Sequence, residues 1–351
     1  MKSQPTADFP SNKEILDWYQ NQRFGGSGLV GDYLVQTPTL NPQELKMTAT
    51  SEGTIIDVRS PHEYELDHLP HAVNVPLLNN LERHIVGTLY KNIDSKAATR
   101  VAHHFFKQKE IAFMEKINTL SKPYFIYCWR GGGRSRFISA HLHSQGHVTF
   151  RIDGGYKAYR TYLKKFYEEL SMNTPSLLIL AGLTGSGKTQ LLQAAASFWP
   201  TIDLERAAQH CGSVFGHIPY KTSSDKAAVP QSRFESHIFS KLSESVHSMQ
   251  PILVEDEGRR IGRNHLPASL HQIIRESPRI WIQLPLQSRI QNIIDEYFSG
   301  DNASQTELLM MTALDRLHKF IGKEARENLK QSLVQKDYES FVHYLLTNHY
   351  D

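Results

Sequence analysis

The chain has 351 residues, 40% of them hydrophobic and 21% charged, a length that favours two cores over one. Its formal net charge of +3 permits a nucleic-acid partner but requires a local basic patch for one. The two cysteines exclude a disulfide framework and a cysteine-rich zinc site; no apolar run approaches the roughly 20 residues of a bilayer span, and with a polar N-terminus the expected setting is cytoplasmic, with no membrane.

In chain order, residues 12–22 predict a helix, and the glycine-rich stretch 24–33 a linker, since no strand precedes it and no lysine follows. Residues 54–59 read as a short buried strand from their β-branched run, and 72–75 as a second. Residues 79–120 carry apolar side chains at helical spacing, among them Phe105, Phe106, Phe113 and Ile117. Residues 124–127 predict a strand running straight into Cys128, 134–145 a helix, 148–152 a strand and 155–170 a basic helix. Further on, 176–181, 252–257 and 280–284 read as apolar strands, and the chain from 288 onward as mostly helix. Strands alternating with helices predict an α/β fold in both halves, with mainly parallel sheets and flanking helices.

Cys128-Trp-Arg-Gly-Gly-Gly-Arg-Ser135 lies between a predicted strand and a predicted helix. Three glycines let the backbone curl with its N–H groups inward, the helix adds its positive end, and Arg130 and Arg134 add charge. This is an anion cradle beneath a cysteine, a setting that suits a nucleophile because the thiolate is the attacking form. Two chemistries stay open at this point. A cysteine followed after five residues by arginine has the spacing of cysteine phosphatases, in which Cys128 would attack phosphorus and Arg134 hold phosphoryl oxygens. In sulfur or selenium transfer, Cys128 would instead carry the chalcogen as a persulfide-type adduct. Cys211, in QHCGSVFG, has no comparable setting and reads as structural.

Gly182-Leu-Thr184-Gly185-Ser186-Gly187-Lys188-Thr189 fits G-x-x-x-x-G-K-[ST] with a strand before it and a helix after it. In such a loop the amides wrap a diphosphate, Lys188 neutralises it and Thr189 holds Mg²⁺. Asp256, at the end of an apolar strand, is the expected second metal contact through water.

Residues 55–77, IIDVRSPHEYELDHLPHAVNVPL, resemble the N-terminal signature of rhodanese domains, and the Cys128 loop lies where the active-site loop of such a domain belongs, one residue longer than usual. NNLERHIVGTLYK (79–91), CWRGGGRS, DGGYKAYR (153–160), GLTGSGKT and VEDEGRRIGRNHLP (254–267) follow in order. That order resembles the bacterial tRNA 2-selenouridine synthase family from about residue 50 onward, and the longer loop is a feature of that family. The resemblance implies an N-terminal extension over 1–45, a rhodanese-like domain over 46–165 and a P-loop NTPase-like domain with a helical C-terminal part over 166–351. It also implies a transferase acting on the wobble 2-thiouridine in the anticodon loop of tRNA. In that reaction the sulfur is first geranylated from geranyl diphosphate, whose diphosphate the P-loop is expected to hold. Selenium from selenophosphate then replaces the geranylthio group by way of a Cys128 selenyl-sulfide. An enzyme that supplies selenophosphate is a candidate partner.

Trp129, Arg136, Lys157 and Arg160, with Tyr156 and Tyr159, cluster in sequence around the cysteine loop, and Arg259, Arg260 and Arg263 follow the acidic strand. These are the expected RNA contacts, cations to phosphates and aromatics to bases. Two competing readings are a cysteine phosphatase or sulfurtransferase fused to a nucleotide-binding P-loop domain, and a non-catalytic regulator.

Overall fold

The structure is a computed structural model that describes residues 9–22, 37–43, 53–170, 176–220, 228–245, 250–299 and 303–350. The stretch read as a linker, 24–33, lies outside the described residues. The chain forms two compact units, Met1–Phe166 and Tyr167–Asp351.

In the first unit the elements run α1 (Asn12–Asn21), β1 (Thr39–Leu40), β2 (Thr54–Asp57), α2 (Pro61–Leu66), β3 (Val73–Asn74), α3 (Asn80–Asn92), α4 (Ser95–Asn118), β4 (Tyr124–Tyr127), α5 (Gly133–Ser144), β5 (Thr149–Ile152) and α6 (Gly155–Glu168). The strands form one parallel sheet of order β1-β5-β4-β2-β3. Local chemistry sets the helix starts. Ser11 with Glu14, Ser60 with Glu63 and Asn79 with Glu82 each close a capping box, satisfying amides that the first turn leaves unpaired. The helical stretch 79–120 divides at Asp94, whose carboxylate accepts the Ala97 amide at 2.6 Å and starts α4 afresh. Part of the segment read as an extension is built into this unit: Ile15 of α1 packs with Leu89, Ala98 and Val101, and β1 pairs with β5.

The second unit runs β6 (Leu177–Ala181), α7 (Lys188–Ala195), β7 (Thr201–Ile202), α8 (Leu204–Ala208), α9 (Gln231–Glu244), β8 (Ile252–Glu255), β9 (Arg260–Ile261), β10 (Asn264–His265), α10 (Ala268–Glu276), β11 (Arg279–Trp281), α11 (Leu286–Phe298), α12 (Ala303–Leu314), α13 (Lys323–Val334) and α14 (Tyr338–Leu345). Its parallel sheet has the order β11-β6-β8-β7, and β9 and β10 make an antiparallel hairpin. The central strands β6 and β8 read as continuous apolar runs because both faces of a parallel sheet are covered. The helices from α11 onward close a separate core that includes Phe298, Met310, Leu314, Leu333 and Phe341. Among the described residues no helix is long and apolar enough to cross a membrane. In each unit a loop at the carboxyl end of a central strand carries the sequence motif, β4 leading to Cys128 and β6 to the P-loop, where open α/β sheets bind ligands.

Candidate active site

Cys128 sits at the floor of its loop with 3% of its surface exposed. Its Sγ lies 3.2 Å from the Ser135 hydroxyl, which also reaches the Gly132 carbonyl at 3.3 Å. Gly132 begins α5 without a side-chain cap, and among the described residues the amides of 130–134 donate to no backbone carbonyl. These amides and the start of α5 are the donors that an anion held by the loop would use. The loop is held from behind by the segment 153–157: Tyr156 and Lys157 donate their amides to the carbonyls of Cys128 and Trp129, both at 2.9 Å. Gly155 has φ +57°, and a Cβ there would overlap the Cys128 carbonyl oxygen. The conformation and the space both require glycine, which explains the double glycine of DGGYKAYR.

Arg134 is the arginine of the loop that the fold fixes. Its two terminal nitrogens donate to the two carboxylate oxygens of Glu63 at 2.6 and 3.1 Å. Arg83 adds a longer contact to Glu63 at 3.5 Å. Burial opposes ionisation of Glu63, but the hydrogen bonds and charge of Arg134 override it and hold the carboxyl down at about 2. Glu63 also accepts the Ser60 amide at 3.1 Å, so one side chain caps α2 and orients the loop arginine. Sequence reasoning placed Arg134 but missed Glu63; the S-x-x-E box at 60–63 was its local signal.

Beneath the loop lies a buried polar group. Arg59, 1% exposed, pairs with Asp57 and stacks 4.2 Å over the Tyr156 ring, and the Tyr156 hydroxyl donates to Asp67 at 2.7 Å. Of the aromatic residues read as base-stacking candidates, Tyr159 is fully buried and Tyr156 is 7% exposed, so both are structural. Trp129 is 43% exposed, tilted against Tyr156 at 5.2 Å. Arg130, Arg136 and Lys157 are exposed, whereas Arg160 is half-buried and reaches Asp67 at 3.5 Å.

In the second unit Gly182, Gly185 and Gly187 adopt positive φ, and a side chain on Gly185 would meet the Arg289 carbonyl at 2.6 Å. α11 braces the loop from that side. Arg289 donates to the Thr184 carbonyl and Asn292 to the Gly185 carbonyl, each at 2.8 Å. Lys188 folds back on the loop, donating to the Gly182 carbonyl at 2.7 Å. The Ser186 hydroxyl is buried and has no hydrogen-bond partner among the described residues.

The expected metal contact, Asp256, is corrected by the geometry. Asp256 is exposed and faces Arg279 at 3.8 Å. The preceding residue, Glu255, is fully buried and meets the Thr189 hydroxyl at 3.3 Å, with Glu205 at 3.1 Å from the same hydroxyl. Successive strand residues point to opposite faces, and β8 turns Glu255 toward α7. Burial and the charge of Glu257 push Glu205 up to about 8; burial and Glu205 push Glu255 up to about 8; burial and Glu255 raise Glu257 to about 7. Among the described residues no group of three His, Cys, Asp or Glu side chains stands at metal-holding geometry. The Thr189 hydroxyl and Glu255 carboxylate are nevertheless hard oxygen donors that fit Mg²⁺, an ion that keeps waters and phosphate oxygens in its shell.

Around the P-loop opens a cavity of about 750 Å³, within the range of small-molecule sites. Part of its lining is polar: residues 184–189, Glu205 and Glu257. Its lining also includes the apolar side chains of Phe215, Phe298, Met310, Phe341 and Leu345. Arg260 of the β9–β10 hairpin borders it, while Arg259 and Arg263 are exposed on the same hairpin.

The two units thus define a rhodanese-like domain with a cradled cysteine followed by a P-loop domain. Residues 41–162 match the rhodanese-like domain family, and residues 175–351 match the family described as the tRNA 2-selenouridine synthase AAA domain. The tRNA 2-selenouridine synthase of Nitrosomonas eutropha is 36% identical over 78% of this chain and 70% of its own length. Those of Bdellovibrio bacteriovorus (37%; 76% of this chain, 70% of its own) and Nitrosomonas europaea (33%; 86% and 77%) are similar to it to the same degree. Among solved structures, the N-terminal domain of a protein described as ATP/GTP binding from Clostridium difficile 630 is 33% identical over 36% of this chain and 98% of its own, with a TM-score of 0.32. The chain belongs to the tRNA 2-selenouridine synthase family, a family of tRNA-modifying enzymes.

Proposed function

We propose that the protein converts the wobble 2-thiouridine of tRNA to 2-selenouridine in two steps, S-geranylation at the P-loop and replacement of the geranylthio group by selenium at Cys128. The cavity beside the P-loop carries this reading. A diphosphate joined to a ten-carbon hydrocarbon needs a phosphate cradle and an apolar surface within one cavity, and residues 184–189 line the same cavity as Phe215, Met310 and Phe341.

A thiocarbonyl has no leaving group. Alkylating its sulfur makes carbon 2 of the base an electrophile that expels a thiol. Ionising the allylic carbon–oxygen bond puts charge on the departing diphosphate, and the loop amides with Lys188 stabilise it once the lysine swings from the Gly182 carbonyl. Mg²⁺ held by Thr189 and Glu255 would neutralise the same charge. The apolar surface shields the allylic cation from water. Trp129 stacks on a base, and Arg136, Lys157, Arg259, Arg260 and Arg263 contact phosphates. A cytoplasmic setting and an enzyme that supplies selenophosphate complete the reading.

The test is mass analysis of 2-thiouridine tRNA incubated with protein, Mg²⁺, geranyl diphosphate and selenophosphate. Wild type yields selenouridine, Cys128→Ser stops at the geranylated base and Lys188→Ala leaves thiouridine. Untouched tRNA with phosphate released from a simple ester replaces this reading with a phosphatase.

A further inference from the structure

We propose that Cys128 attacks phosphorus, not selenium, in selenophosphate: it releases selenide through a phosphocysteine, and Glu63 positions Arg134 for the phosphoryl group. This rests on the selenium-transfer reading above and decides what the cysteine does within it.

The first argument is the electron count. Selenium has the same oxidation state in selenophosphate and in the selenocarbonyl product. Attack on selenium would form a sulfur–selenium bond and leave phosphorus reduced as phosphite. Delivery to the base would then need two electrons from another thiol. The chain has one other cysteine, Cys211, which belongs to the second unit. Attack on phosphorus needs no redox partner.

The second argument is the geometry. Cys128 is 3% exposed at the start of its loop, and the amides of 130–134 are without backbone acceptors among the described residues. Three oxygens of a tetrahedral phosphoryl group match such a cradle. Arg134 spends one donor from each terminal nitrogen on Glu63, leaving three of the five guanidinium N–H groups for phosphoryl oxygens. The Ser135 hydroxyl, 3.2 Å from Sγ, can donate to the sulfur whenever it carries charge.

The steps balance. The thiolate forms a sulfur–phosphorus bond as the phosphorus–selenium bond breaks, and the electron pair leaves with selenium as hydrogen selenide anion. This anion adds to carbon 2 of the geranylated base; geranylthiolate departs and the selenide proton passes to ring nitrogen 3. Water then attacks phosphorus, the sulfur–phosphorus pair returns to Cys128 beside Ser135, and phosphate leaves.

The experiment mixes the full-length protein with radiophosphorus-labelled selenophosphate without tRNA and quenches in acid. The expected result is label on the Cys128 peptide and phosphate as the final product by phosphorus NMR. Cys128→Ser carries no label, and Ser135→Ala accumulates several-fold more of it. Free hydrogen selenide restores selenouridine formation by Cys128→Ser on S-geranyl tRNA, because only the release step is bypassed. Glu63→Gln slows adduct formation tenfold or more, and Glu63→Asp recovers part of the rate. Selenium on Cys128, recognised by its isotope pattern, or phosphite as the product overturns the proposal; Glu63→Gln at wild-type rate overturns the positioning role. If Cys128 is labelled but S-geranyl tRNA stays unconverted even with free selenide, the tRNA reading fails and the phosphocysteine stands. If selenouridine forms through selenium-loaded Cys128, the outcome is the reverse.

Discussion

Glu63→Gln tests the pair that fixes the cysteine loop. Folding lowers the Glu63 pKa from 4.5 to about 2, with its carboxylate only 17% exposed. A shift of that size corresponds to about 3 kcal/mol of stability, the same order as removing one partner of a buried ion pair. The folded pKa is the lower one, so this contribution is complete well above pH 4.5 and lost as pH falls toward 2; by pH 4 about a quarter of it is gone. Gln keeps an acceptor for the Ser60 amide, which isolates the charge pair from the helix cap. Hydrogen exchange at the β2 and β4 amides, followed by mass spectrometry, reads the opening of the first unit separately from the second. Glu63→Gln should cost about 2–3 kcal/mol at pH 7, less at pH 4, and a double-mutant cycle with Arg134→Met should return a coupling above about 1 kcal/mol. A loss under about 0.5 kcal/mol, the value of an exposed pair, or an equal loss at both pH values, would refute the reasoning.

Glu255→Gln should abolish the Mg²⁺ dependence of diphosphate binding, measured by calorimetry, while Asp256→Asn leaves it intact, because of these two acids it is Glu255 that meets Thr189. Glu205, Glu255 and Glu257 are raised from 4.5 to about 8, 8 and 7 on folding. The unfolded chain therefore releases these protons first, and stability falls as pH rises from about 4.5 toward 8. The melting temperature of the second unit without Mg²⁺ should drop between pH 6 and 8.5, and Mg²⁺ with diphosphate should flatten the slope. Gly155→Ala forces a Cβ onto the Cys128 carbonyl at a positive φ, costing about 2 kcal/mol or more; in the tRNA assay it should block selenium incorporation while geranylation proceeds.

The sequence by itself determined the two loops, because each is a local object. Glycines, a cation and a cysteine or lysine at short spacing, between an apolar strand and a helix, specify an anion cradle without reference to the rest of the chain. The capping boxes that start α1, α2 and α3 are equally local. The tertiary structure alone decided three things. Glu63 meets Arg134 across 71 residues because the α2 cap and the start of α5 lie side by side at the carboxyl ends of neighbouring strands β2 and β4. Glu255 rather than Asp256 faces Thr189, because consecutive acids on a strand point to opposite faces and only the pairing of β8 with β6, Leu180 opposite Glu255, says which face meets α7. The apolar part of the cavity lining draws on Phe215, Met310 and Phe341, residues whose common surface exists only once the C-terminal helices pack; hydrophobic periodicity marks each as core-facing, and it cannot say that their shared core borders a cavity.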